Sequence, residues 1–139
     1  MADDVTRLLQ EAADLIKRDP RAAIEKLDAA LAQAGPRASE VCEELARAWA
    51  RRKRSSAKSL YHAVKAAELQ PERKSAWATL GKTCELVAVK TTKPKRAQAL
   101  FRASADAFKK AAALAKDPED KRWLQELARD AARQGKPKA

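Results

Sequence analysis

Along almost the whole chain, apolar residues recur at spacings of three and four. The pattern breaks at Asp19-Pro20, Gly35-Pro36 and Asp117-Pro118, with further prolines at Pro71 and Pro94. Such spacing puts apolar side chains on one face of an α-helix, and a proline at the first helical position sacrifices no hydrogen bond, because its N–H would have no partner there. Only 3 glycines, 4% aromatic residues and a 45% hydrophobic fraction dominated by Ala and Leu leave little material for strands. An all-α fold is expected.

The spacing predicts seven helices, over residues 3–17, 20–34, 38–52, 56–69, 71–87, 94–116 and 118–134. Asp19 and Asp117 stand at N-cap positions, Ser55 or Ser56 can cap the fourth helix, and Pro71 opens the fifth. Glu119 and Asp120 suit the positive end of the seventh. The 139 residues have room for one domain. The N-terminal stretch is amphipathic and acidic, unlike a signal peptide, and no apolar run reaches a spanning length, so an intracellular, cytoplasmic protein is expected.

Short connections between seven helices suit a bundle or a solenoid, and internal repetition favours the solenoid. The stretch from Ser59 through Ala66, Ala67 and Leu69 to Pro71, followed by Ser75, Trp77, Leu80, Gly81 and Cys84, resembles the tetratricopeptide repeat (TPR) family. Weaker copies lie on either side. Ala23, Ile24, Leu27, Ala30 and Leu31 match a second helix, with Leu8, Ala12 and Leu15 before them. Cys42, Leu45, Ala46 and Trp49 match a first helix, as do Leu124, Leu127, Ala128 and Ala131.

The resemblance implies a right-handed superhelical solenoid of antiparallel helix pairs, three pairs and a capping helix. It forms a single domain over residues 1–134, with a disordered basic tail over 135–139. Pro36 and Pro71 stand 35 residues apart, near the family's period, whereas Pro71 and Pro118 stand 47 apart. The excess, around residues 87–104, is expected to lengthen the turn between helices five and six and to add turns to helix six. Small residues at Ala12, Ala46, Ala66 and Gly81 are expected to allow close helix approach, with Leu45, Trp49, Trp77 and Leu80 filling the space between pairs.

Catalytic chemistry finds no foothold. His62 has no Cys, Asp or Glu at i±3 or i±4, and no phosphate loop or metal-binding motif is present. Cys42 and Cys84 fall about seven residues out of step on parallel helices, roughly 10 Å, too far for a disulfide. They read as buried free thiols in a reducing compartment. Neither enzyme activity nor a metal or cofactor is expected.

By resemblance, first-helix residues line a peptide-binding groove, here Glu43, Arg47 and Arg51, then Ala78, Lys82 and Glu85, then Gln125 and Arg129. Its Arg and Lys suit an acidic protein or peptide partner. The chain contains no Asn, so the family's carboxylate clamp for chaperone tails is not expected.

Charge is concentrated centrally. The chain carries a net +11, and residues 41–110 hold 17 basic against 6 acidic residues. Arg51-Arg52-Lys53-Arg54 and the run Lys90, Lys93, Lys95, Arg96 fall at turns within helix pairs, and Lys17, Arg18 and Arg21 occupy the same turn of the first pair. In a solenoid such turns share one edge, giving a basic ridge suited to an acidic partner, a phosphate backbone or an anionic surface.

Two functions are therefore expected in the alternative: a non-catalytic adaptor or scaffold binding an acidic segment by groove or edge, or a nucleic-acid-associated protein using the ridge. No aromatic is interleaved in the basic runs for base stacking. Residues 51–54 also resemble a nuclear-import signal, which would apply in a eukaryotic cell. An exposed helix six, with Phe101 and Phe108, is a further expected docking face for a larger assembly.

Overall fold

The computed structural model describes residues 2–137. Among them are seven α-helices and no strand, as the spacing predicts. The chain divides between Gln70 and Pro71 into two compact units. The first contains α1 (Ala2–Leu15), α2 (Pro20–Gln33), a 3-10 turn (Gly35–Arg37), α3 (Ala38–Ala50) and α4 (Ser56–Leu69). The second contains α5 (Lys74–Lys90), α6 (Pro94–Leu114) and α7 (Pro118–Gln134). Within each unit every helix packs on the next in sequence, and the short connections make neighbours antiparallel.

Local chemistry sets most boundaries. Asp19 Oδ1 accepts from the Ala22 N–H at 3.2 Å and Asp117 Oδ1 from the Glu119 N–H at 3.3 Å, capping α2 and α7 ahead of Pro20 and Pro118. Gly35, at φ 51°, takes the left-handed conformation that ends α2. Ser55 occupies the N-cap position of α4 but does not cap it. Its hydroxyl turns back to the Lys53 carbonyl at 3.3 Å.

Helix five differs from expectation at both ends. Its first residue is Lys74, not Pro71, because the Trp77 indole N–H donates to the Pro71 carbonyl at 2.7 Å and Arg73 is extended. It also runs on to Lys90, where the Thr91 hydroxyl closes it by donating to the Val87 carbonyl at 2.7 Å. The excess length of the third pair therefore lies wholly in the helices. α5 has 17 residues and α6 has 21, against 13 and 14 in α3 and α4. The connection between them, expected to be long, is only residues 91–93.

Each unit has its own core. In the first, Val5, Leu8, Ile24, Leu27, Val41 and Leu45 are buried together. In the second, Phe108, Ala111, Ala112, Leu124 and Ala128 form the centre, with Trp77 and Leu127 packed against them. Phe108 is thus interior, at 3% exposure. Of the expected docking face on helix six, Phe108 is covered because α5 and α7 both pack on that helix, while Phe101 is half-buried.

Buried serines fasten the pairs. Ser59 on α4 donates to the Ala46 carbonyl on α3 at 2.8 Å, and Ser104 on α6 donates to the Gly81 carbonyl on α5 at 2.7 Å. The acceptors Ala46 and Gly81 stand 35 residues apart, so the same kind of contact holds the second and third pairs. Ser39 adds a third clip, to the Ala66 carbonyl at 2.7 Å.

Candidate functional site

Antiparallel packing brings the α1–α2 and α3–α4 turns to the same end of the first unit. There Lys17, Arg18, Arg21, Arg51, Arg52, Lys53 and Arg54 are all exposed. Arg18 Nε donates to the Asp14 carbonyl at 3.2 Å. Among the described residues, none of the seven has a carboxylate partner. Four carboxylates elsewhere in this unit pair with other cations: Glu11 with Arg7 and Lys26, Glu40 with Arg37, Glu43 and Glu44 with Arg47.

Helix polarity deepens the excess. The amino end of a helix carries a partial positive charge and normally attracts acidic side chains. α3 and α7 obey this with Glu40, Glu119 and Asp120, whereas α2, α4, α5 and α6 have no acid in the first turn, and of the three that follow basic turns only α2 has an acidic N-cap, Asp19. Arg21, Lys58, Lys95 and Arg96 stand there instead. Folding stability gives no reason for this arrangement.

The α3–α4 turn is itself constrained. Arg54 has φ 60°, a left-handed conformation costing a non-glycine residue about 1–2 kcal/mol. Beside it, Lys58 Nζ lies 4.3 Å from the Trp49 ring centre and the Arg52 guanidinium 5.4 Å from it. These contacts fix two cations against an aromatic anchor. The α5–α6 turn of the second unit exposes Lys90, Lys93, Lys95 and Arg96, again with no carboxylate partner among the described residues.

The expected groove residues are placed less uniformly. Glu43 is buried at 3% exposure, with Arg47 Nη2 3.7 Å from its carboxylate, and Arg47 also pairs with Glu44. Burial pushes the Glu44 carboxyl up, with Arg47 opposing. Arg51 is exposed at the C-cap of α3. In the second unit Ala78 packs against the core, Lys82 and Gln125 are exposed and Glu85 is half-buried. Arg129 lines a concavity with Ala132, Arg133 and Lys136. The helical spacing of Arg129, Ala132 and Arg133 is visible in the sequence, but that Lys136, past the end of α7, joins them is not.

The reactive side chains lie in quiet surroundings. Cys42 and Cys84 are free and buried, and burial pushes both thiols up, Cys84 to about 11, while Lys65 opposes the shift at Cys42. His62 is half-buried in α4, edge-on to Tyr61 with ring centres 5.2 Å apart. Desolvation holds its pKa below the usual range, with Lys58 adding to the effect and Asp28 opposing it. Among the described residues no cluster of three or more His, Cys, Asp or Glu could hold a metal, and no helix is long and apolar enough to cross a membrane. No protein-family model matches the chain, and no curated protein matches it.

Proposed function

We propose that this protein is a non-catalytic adaptor or scaffold of the tetratricopeptide type that holds an acidic partner segment on its basic turns. The repeat assignment is supported by sequential antiparallel pairing and by the serine-to-carbonyl clip whose acceptors stand 35 residues apart. Two buried free thiols suit the reducing interior of a cell.

The observation that carries the reading is the uncompensated Arg51–Arg54 turn beside Lys17, Arg18 and Arg21. Guanidinium groups without a carboxylate partner are ready to take carboxylates in bidentate fashion. The groove is the weaker candidate, because Arg47 is already engaged and Glu43 is buried. Reading of single-stranded nucleic acid is disfavoured because the nearest aromatic, Trp49, already lies against Lys58 and Arg52.

Fluorescence anisotropy with a labelled oligoglutamate peptide, at low and at physiological salt, tests the proposal. Wild type should bind, more weakly at higher salt, and the Arg52→Glu/Arg54→Glu variant should lose at least about tenfold in affinity. A variant that binds as tightly as wild type would refute the edge as the binding surface. Much tighter binding of a short RNA, lost in the same variant, would transfer the site to nucleic acid.

A further inference from the structure

At one end of the second unit the last turn of α7 lies beside the early turns of α6. A Cβ on Gly135 would come within 2.8 Å of the Arg102 side chain and 3.2 Å of the Gln98 carbonyl. Arg102 Nη1 donates to the Gly135 carbonyl at 3.2 Å. Lys95 precedes Gln98 by three residues and Arg102 by seven, so it shares their face of α6, one turn nearer the helix start. Lys136 follows Gly135 directly, just past the end of α7. Arg129, Ala132 and Arg133 share a face of α7 and, with Lys136 just past its end, line a concavity of about 430 Å³.

Cations at the carboxyl end of a helix ordinarily answer its dipole, which accounts for Arg133 and Lys136. The same rule does not account for Arg129, which stands more than a turn before that end, and it opposes Lys95 and Arg96, at the positive end of α6. Arg133 pairs with Asp130, and Arg102 is held by the Gly135 carbonyl. Arg129, Lys136 and Lys95 have no carboxylate partner among the described residues. The fold therefore gathers like charges around a hollow and supplies too little counter-charge.

We propose that this concavity is a binding site for a compact phosphate-bearing anion, held chiefly by Arg129 and Lys136. Three of its four lining residues, Arg129, Arg133 and Lys136, are cationic and the fourth is Ala132, so its polar groups are all charged donors, its walls are the aliphatic stems of those side chains, and it has no aromatic surface on which a base would stack. A phosphate group presents several strong acceptor oxygens to guanidinium and ammonium donors at once. This site is separate from the turn of Arg51–Arg54.

Titration of the full chain with inorganic tripolyphosphate, followed by calorimetry and by backbone amide shifts, tests the proposal, with citrate as the carboxylate control. Tripolyphosphate should bind, move the Ala132 and Gly135 amides and lose affinity with salt. Arg129→Glu/Lys136→Glu should weaken binding at least about tenfold, and Arg52→Glu/Arg54→Glu less than about twofold. Because Arg129 and Lys136 are exposed, the milder Arg129→Gln/Lys136→Gln pair should stay folded and still weaken binding. Absence of binding at low salt, equal losses in the two glutamate variants, or citrate binding as tightly would each overturn it. Oligoglutamate binding is measured separately at Arg52 and Arg54, so the partner reading and this site fail independently.

Discussion

Gly81 is the residue where one missing methyl group matters most. The Phe108 ring lies where its side chain would begin, 2.8 Å from a Cβ placed there. Replacing a mid-helix glycine by alanine usually gains about 1 kcal/mol, whereas overpacking a filled core costs about 1–3 kcal/mol. The second effect should win here, because the ring is buried and cannot swing into solvent. Gly81→Ala should lower stability by about 1 kcal/mol in urea unfolding, and in a Phe108→Leu background the same change should be neutral or favourable. A loss of equal size in both backgrounds would show that the ring is not the cause. That Gly81 faces a neighbouring helix was legible from its repeat position. Phe108 as the group it accommodates was not, because the two lie 27 residues apart and α6 could equally have turned that ring outward.

Helix starts obeyed proline where nothing competed for the surrounding groups. Pro20, Pro94 and Pro118 each open a helix, and Asp19 and Asp117 cap two of them. Pro71 fails because the Trp77 indole takes its carbonyl, Pro71 and Glu72 form a turn and Arg73 is extended before Lys74 begins the helix. Asp19→Ala and Asp117→Ala should each cost about 1 kcal/mol, while Ser55→Ala should cost only a few tenths, since that hydroxyl bonds the Lys53 carbonyl and caps nothing. Thermal or urea unfolding of the three variants distinguishes them; an equal loss for Ser55→Ala would mean that it does cap α4 in solution. The same tertiary choices placed the extra length of the third pair inside α5 and α6. Apolar periodicity could count those residues but could not tell helix from turn around the Lys90–Pro94 stretch.

For the molecule as a whole, charge is the dominant surface property. A net +11, with cations and no acid at the starts of α4 and α6, implies self-repulsion that salt should screen. The melting temperature should therefore rise between low and physiological salt, and the rise should shrink in Arg52→Glu/Arg54→Glu. A melting temperature that is indifferent to salt would mean that these cations do not strain the fold. The candidate basic edge was fully legible as runs of residues. Which of its charges lack partners was not, since Arg47 and Arg51 look alike in sequence and only Arg47 meets carboxylates.

The sequence by itself determined the helix class, the number of helices, most of their starts and the small and large residues that face inward. Those properties depend on neighbours within one or two turns of chain. Only the tertiary structure decided that Phe108 is interior, that serines clip the pairs, that Glu43 is buried, and that Gly135 lies against Arg102 and Gln98 of α6. Each of these is set by which distant residues are brought into contact, because burial and charge pairing depend on neighbours in space.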